Sequence, residues 1–253
     1  MAGGGEYGAR AVLGIGTPQA NPTVEPEISA LMPGGVNLLT TRLTSPCADS
    51  RERLIDYIDR LGEAPRAFDV LELDVFGFGC TGSSYLIGAE REAEIVAAAE
   101  NIFGYRIITA AQAVCAALQH LGVTRIALAS PYPDWLEQAS VSYWEAARFE
   151  IADTVRIETG DDDTRGIYGV TSAQSQEKLS ALNVKSADVV LLAGTGMPTL
   201  GVLGHIETRT GLPAVSSNLC LAWAMLRAVG LAPEQTDETL LSGWQKRFWA
   251  RLG

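Results

Sequence analysis

Cys80 sits where an apolar run, Leu71 to Phe78, breaks into Gly79-Cys80-Thr81-Gly82-Ser83-Ser84. A thiol at a strand-to-helix junction meets exposed amides and the positive end of a helix, which together lower its pKa and ready it for nucleophilic or acid–base work. Thr81, Gly82 and Ser83 add hydroxyl and amide donors, so the segment is expected to cradle an anion beside the thiol. A second elbow, Ala193-Gly194-Thr195-Gly196-Met197-Pro198-Thr199, follows the apolar run Val189 to Leu192 and has no cysteine. Gly194, Thr195 and Gly196 are expected to bind a carboxylate or an oxyanion. The competing reading makes Cys80 a small buried residue in a glycine-rich turn. That reading suits the other cysteines better: Cys115 lies in AQAVCAAL, Cys220 in LCLAWAML, and Cys47 follows Ser45-Pro46 in a loop.

Four further positions fall at strand exits. Pro18 and Asn21 follow the run AVLGIGT, and the Asn21 amide could orient a carboxylate or a thiol. Tyr132 stands between Pro131 and Pro133, which would hold its hydroxyl rigidly or simply plug the turn. Ser217 closes the set beside Ser216 and Asn218. The cysteine spacing fits neither a zinc site nor a CxxC redox pair, and GxSxG and Walker loops are missing. Gly77-Phe78-Gly79-Cys80-Thr81-Gly82 matches GxGxxG by letters. It comes from the third strand instead of the first strand–helix turn, so it reads as an anion-binding turn rather than a dinucleotide site.

The elements that must position these residues alternate. Strands are expected at Ala11–Thr17, Val36–Arg42, Leu71–Phe78, Tyr105–Thr109, Thr124–Ser130, Phe149–Glu158, Ala187–Ala193 and Ala214–Ser217. Helices of ten to fifteen residues lie between most of them, which predicts an α/β fold with mostly parallel sheet. Strand, proline-containing loop and helix recur at 11–30 and 124–147; strand, Gly/Thr elbow and helix recur at 71–100 and 187–210. The polar stretch Thr159 to Gly169, with Asp161, Asp162 and Asp163, is expected to be a surface loop. Leu241 to Leu252 carries Trp244, Phe248, Trp249 and Leu252 at helical spacing, to cap a lobe or join a homo-oligomer interface.

The chain of 253 residues can bury a substantial core, and its formal charge of -11 argues against nucleic acid and anionic membrane as partners. Amide-lined pockets can still take a small anionic substrate. The opening residues lack the pattern of a secretory signal, and no apolar run reaches membrane-spanning length, so a reducing cytoplasm is the expected setting.

Five segments together resemble the aspartate/glutamate racemase superfamily, in the branch of maleate cis–trans isomerases and arylmalonate decarboxylases. They are Pro18 to Glu27 (PQANPTVEPE), the Cys80 elbow, Ser130-Pro131-Tyr132, Ala193 to Leu200 (AGTGMPTL) and Pro213 to Arg227 (PAVSSNLCLAWAMLR). The resemblance implies two pseudo-twofold-related, Rossmann-like lobes, each a short mostly parallel sheet flanked by helices, with the active site in the cleft. The first lobe would span 1–122 and be completed by 222–253; the second would span 123–221. It implies catalysis without metal or organic cofactor on a small mono- or dicarboxylate. Cys80 falls on the first of the family's two cysteine positions, Asn21 on the first-loop asparagine and Tyr132 on the family tyrosine. Thr81, Ser83 and Thr195 fall near the carboxylate-binding hydroxyls. Gly194 falls on the second cysteine position, which speaks against two-base racemisation. One expectation is therefore a decarboxylase of a substituted malonate, with Cys80 protonating an enediolate from the first lobe and giving the hand opposite to that of a second-lobe cysteine. The alternatives are a maleate isomerase with Cys80 as nucleophile and a non-catalytic small-acid binding protein.

Overall fold

The computed structural model describes residues 6–160, 162–234, 236 and 238–252. Two four-stranded sheets carry the fold. The first has the order β2-β1-β3-β4, with β1 at Ala11–Pro18, β2 at Val36–Leu43, β3 at Val75–Phe78 and β4 at Arg106–Thr109. The second has the order β6-β5-β7-β8, with β5 at Arg125–Ser130, β6 at Glu150–Arg156, β7 at Val189–Leu192 and β8 at Ala214–Ser216. Every pairing is parallel. Parallel strands need crossovers, supplied by α1 (Val24–Leu31), α2 (Ser50–Asp59), α3 (Thr81–Phe103), α5 (Asp134–Ala146), α6 (Ser172–Leu179) and α7 (Leu200–Thr210). After β4, α4 (Ala110–Leu121) leads into the second sheet; after β8, α8 (Ser217–Ala228) returns to pack on α4, β3 and β4. These sheets, covered by helices, form the two-lobed architecture implied by the resemblance.

Burial explains which runs became which strands. The inner strands β3 (VFGF) and β7 (VVLL) are buried along their whole length, as expected of parallel strands covered on both faces. The edge strands β2 and β6 are mostly half-buried and carry polar residues. Several bounds shift from expectation. Leu71 to Asp74 stay outside β3: Leu71 is 42% exposed, and Asp74 turns back to accept from the Val12 amide at 2.8 Å. α3 begins at Thr81, within the elbow, and Gly88 (φ 77°, ψ 161°) kinks it. Ser217 is the first residue of α8, not the end of a strand.

The remaining departures concern loops and the C-terminal segment. Asp161 lies outside the described residues. The rest of the acidic stretch folds inward as a 3-10 turn at Thr164–Gly169, with Thr164 and Ile167 buried. α9 (Trp244–Leu252) packs on α1: Trp244 is buried, and Arg247 donates to the carbonyls of Ala30 and Leu31 at the end of that helix. Trp249 and Leu252 remain exposed.

The GxGxxG letters have a packing explanation. A Cβ on Gly77 would come 2.6 Å from Met225 Sδ of α8 and 3.2 Å from its Cε. Gly77→Ala is therefore expected to cost about 1–3 kcal/mol by overpacking a filled core. The midpoint of urea unfolding measures it; an unshifted midpoint would mean that Met225 moves aside freely.

The sheets repeat each other residue by residue. Phe78 of β3 pairs with Gly16 of β1, and Leu192 of β7 pairs with Ala129 of β5. One residue later the Gly79 amide donates to Gly16 O, and the Ala193 amide to Ala129 O, both at 2.8 Å. Two residues past each pair stand Cys80 and Gly194 on one side, Pro18 and Pro131 on the other. The ladder itself thus makes Gly194 the structural counterpart of Cys80.

Candidate active site

The two counterparts have unlike surroundings. Cys80 is extended (φ -144°, ψ 104°) and is the N-cap of α3, so the first turn of a helix starts at its carbonyl. Gly194 has φ +99° and is followed by a loop that reaches α7 only at Leu200. A Cβ at 194 would lie 3.2 Å from both Cδ and Cγ of Pro131 and 3.5 Å from the Tyr132 hydroxyl. Thus one elbow presents a thiol on a helix end, and the other presents bare backbone.

Cys80 is 4% exposed. Burial pushes its thiol above the ordinary value; the Ser83 hydroxyl, the amides of Ser83 and Gly82, and the Arg53 charge pull it down without prevailing. The expectation of a lowered pKa is therefore reversed, because desolvation outweighs the helix end. Ser83 Oγ lies 2.6 Å from the Leu54 carbonyl and 3.2 Å from Cys80 Sγ. A hydroxyl has one proton, and the carbonyl can only accept. While Cys80 is a thiol, the Ser83 proton can stay with Leu54; when Cys80 ionises, it can turn to sulfur.

A cavity of about 40 Å³ meets the sulfur, lined by Pro18, Asn21, Leu54, Cys80, Thr81, Gly82, Tyr132, Leu136, Thr164, Ile167, Tyr168 and the backbone turn Gly194, Thr195, Gly196. None of these carries a formal charge, so an anion here would be met by neutral donors. Asn21 Oδ1 accepts from the amides of Thr23 (2.8 Å) and Val24 (3.2 Å), which fixes the side chain and leaves its NH₂ group as the end free to donate. Tyr132 Oη and Thr81 Oγ1 are 2.8 Å apart. Burial drives the Tyr132 pKa well up, so the phenol stays protonated as a donor. A larger hollow of about 1080 Å³, lined by residues 65–66, 69–74 and 100–106, lies beyond the N-terminal ends of β3 and β4, away from both elbows. Among the described residues no three His, Cys, Asp or Glu side chains are grouped as metal ligands.

Of the residues expected at the site, Pro18, Asn21, Cys80, Thr81, Gly82, Tyr132, Gly194, Thr195 and Gly196 come together around this cavity. Ser83 and Ser217 do not line it. Ser83 stands behind the sulfur, and Ser217 Oγ accepts from the Gly194 amide at 3.2 Å, bracing the second elbow. The Thr195 hydroxyl is committed to the Gly79 carbonyl at 2.8 Å, tying the two elbows together. Thr23 Oγ1 likewise donates to the Gly196 carbonyl at 2.7 Å.

Five lining side chains were not anticipated: Leu54 from α2, Leu136 from α5, and Thr164, Ile167 and Tyr168 from the inward-folded stretch. The apolar pair Ile167-Tyr168 inside an acidic segment was the available signal. Gly196 explains its seat, because a Cβ there would come 2.8 Å from Tyr168 Cε1 and 3.2 Å from Ile167 Cγ2.

Glu27 is a further residue missed from sequence. It is buried in α1, and its carboxylate accepts from the Thr199 and Leu200 amides, Thr199 Oγ1 and Asn218 Nδ2. Thr199, the N-cap of α7, makes no side-chain cap of its own. The first lobe thus caps a helix of the second.

Comparison with known proteins places this geometry among relatives. The family model for arylmalonate decarboxylase matches residues 13–241. A maleate isomerase from Pseudomonas putida is 26% identical over 240 residues, covering 87% of this chain and 92% of that protein. An arylmalonate decarboxylase from Bordetella bronchiseptica is 27% identical over 187 residues, covering 71% and 72% respectively. The crystal structure of the maleate isomerase Iso from Pseudomonas putida S16 superimposes with a TM-score of 0.81 at 24% identity, covering 92% of this chain and 99% of that one.

Proposed function

The chain belongs to the arylmalonate decarboxylase family, in the branch of the aspartate/glutamate racemase superfamily that also holds maleate isomerases, and from that premise we propose that it isomerises a small cis-unsaturated dicarboxylate such as maleate, with Cys80 as nucleophile. The observation that carries this is the match to a maleate isomerase, which spans 87% of this chain and 92% of that protein. The space at the thiol is narrow, about 40 Å³, so any substrate must be admitted by movement of the walls. A four-carbon diacid asks less of those walls than an arylmalonate does.

The chemistry needs only one thiol. Sγ adds to one alkene carbon, and the π pair moves to the other carbon and into its carboxylate as an enediolate. The former double bond is now single and can turn. Return of the electron pair expels Sγ and leaves the trans isomer. No proton joins or leaves carbon, so the cycle runs without an acid at position 194. The Asn21 amide, the Tyr132–Thr81 hydroxyl pair and the backbone of the two elbows supply preorganised donors for the carboxylates and the enediolate charge.

A second reading, protonation of an enediolate by Cys80 after loss of carbon dioxide, is favoured by the buried neutral thiol and the vacant second cysteine position. Proton NMR in D₂O with maleate and with substituted malonates separates the two. Fumarate without gas is the expected result; carbon dioxide with one deuterium incorporated would establish the decarboxylase instead. Ligand binding with neither product, unchanged in Cys80→Ala, would establish the binding protein.

The pH dependence differs in sign as well. The thiol pKa lies above its ordinary value, so a nucleophilic thiolate is scarce at neutral pH. Then kcat/KM for maleate rises about tenfold per pH unit between about pH 6 and about pH 9. A Cys80 acting as proton donor would give a flat profile that falls at high pH. Initial rates across that range decide between them.

A further inference from the structure

Arg53 is a cation buried to 4% exposure, next in α2 to the cavity-lining Leu54. Its guanidinium donates to the Ala48 carbonyl at 2.9 Å, to Ser50 Oγ at 3.0 Å and to Asp163 Oδ1 at 3.0 Å. Asp163 is the N-cap of the turn that brings Thr164, Ile167 and Tyr168 to the cavity, and it is gripped from its own side by Arg165. Ser50 Oγ also lies 3.4 Å from the Thr164 amide. One guanidinium of the first lobe therefore fastens the cavity wall contributed by the second.

These partners keep the buried ion paired, and burial leaves its charge weakly screened. The titratable groups around the sulfur are Tyr57 and Arg53 of α2, Tyr132 after β5, and Tyr168 of the turn. All three phenols are pushed up by burial, Tyr57 to about 12, so none is charged near neutrality. Arg53 precedes Leu54, whose carbonyl holds the Ser83 hydroxyl 3.2 Å from the sulfur, and its positive charge favours the thiolate.

We propose that Arg53 is a positioning residue for Cys80, a buried guanidinium that seals the 163–170 segment against the cavity and stabilises the thiolate. Asp163 is the counterweight that offsets part of its charge. This rests on the reading of Cys80 as the nucleophile.

Alkylation of Cys80 by iodoacetamide, followed by peptide mass across a range of pH, tests it without any substrate. Below the thiol midpoint, Arg53→Met slows alkylation about three- to tenfold by removing the charge, and Arg53→Lys restores much of the rate. Asp163→Asn speeds it about two- to fivefold. Opposite signs are the signature. A wall that merely loosened would expose the sulfur and speed both variants, and that outcome, or no change in either, overturns the proposal. If Arg53→Met does not fold, the conservative Asp163→Asn still decides: its alkylation must quicken through a lowered midpoint, not a raised plateau. Failure here with maleate turnover intact removes only the role of Arg53. The expected pair of shifts without maleate turnover leaves that role standing and removes the substrate.

Discussion

Replacing Cys80 by serine is expected to lower kcat/KM for maleate by on the order of 10³-fold or more, with little loss of stability. The substitution keeps the shape of the side chain and its contacts with Ser83 and the α3 amides. What it changes is the reacting atom. A serine hydroxyl ionises far less readily than a thiol, adds poorly to an alkene and is a worse leaving group from the adduct. Both halves of the proposed cycle therefore suffer. The hydroxyls and amides that hold the carboxylates stay in place, so maleate binding survives better than turnover. Rates by NMR, affinity by calorimetry and a thermal melt on the same sample separate these effects. A serine variant within tenfold of the parent would remove Cys80 from the chemistry.

Glu27→Ala is expected to cost about 3–5 kcal/mol, as loss of the acceptor shared by several buried donors does. For a chain of this size that lowers Tm by about 6–20 °C. The truncation leaves four donors facing empty space: two amides of the first turn of α7, the Thr199 hydroxyl and the Asn218 amide. Asn218 Nδ2 also donates to the Thr195 carbonyl at 3.1 Å, so the damage reaches the second elbow. Glu27→Gln keeps one acceptor but turns an NH₂ toward other donors, and should fall between the parent and the alanine variant. Burial raises the Glu27 pKa while these hydrogen bonds lower it, and burial prevails. Calorimetric melts of both variants provide the check. A drop under 2 °C for the alanine variant would mean that water replaces the carboxylate at no cost.

The central elements were legible because their signals are local. Apolar runs, Leu71 to Phe78 and Val189 to Leu192, marked β3 and β7, though β3 begins only at Val75, and the small and polar residues after them marked both elbows. The absence of a thiol at Gly194 was readable through the family pattern, and the ladder register reaches the same correspondence independently. The cavity's outer wall was not legible, because Ile167 and Tyr168 sit in a stretch whose aspartates read as solvent-facing. Contacts such as that of Asp163 with Arg53, 110 residues earlier, turn that stretch inward. Glu27 looked like an ordinary acidic residue in the first turn of a helix; its partners lie more than 170 residues away. The direction of the Cys80 shift depended on burial, which the letters around it do not encode.

The left-handed backbone at Gly194 makes the asymmetry of the two elbows hard to reverse. A non-glycine residue at φ +99° costs about 1–2 kcal/mol before any contact is counted. Its Cβ would then press on the Pro131 ring, which has little freedom to yield. A single codon change to cysteine would therefore supply the atom without the geometry. A two-thiol site of full geometry would call for the main chain of the second elbow to relax as well, together with the Ser130-Pro131-Tyr132 turn that leans on it. Descendants of this chain can diversify around one sulfur more easily than they can acquire a second.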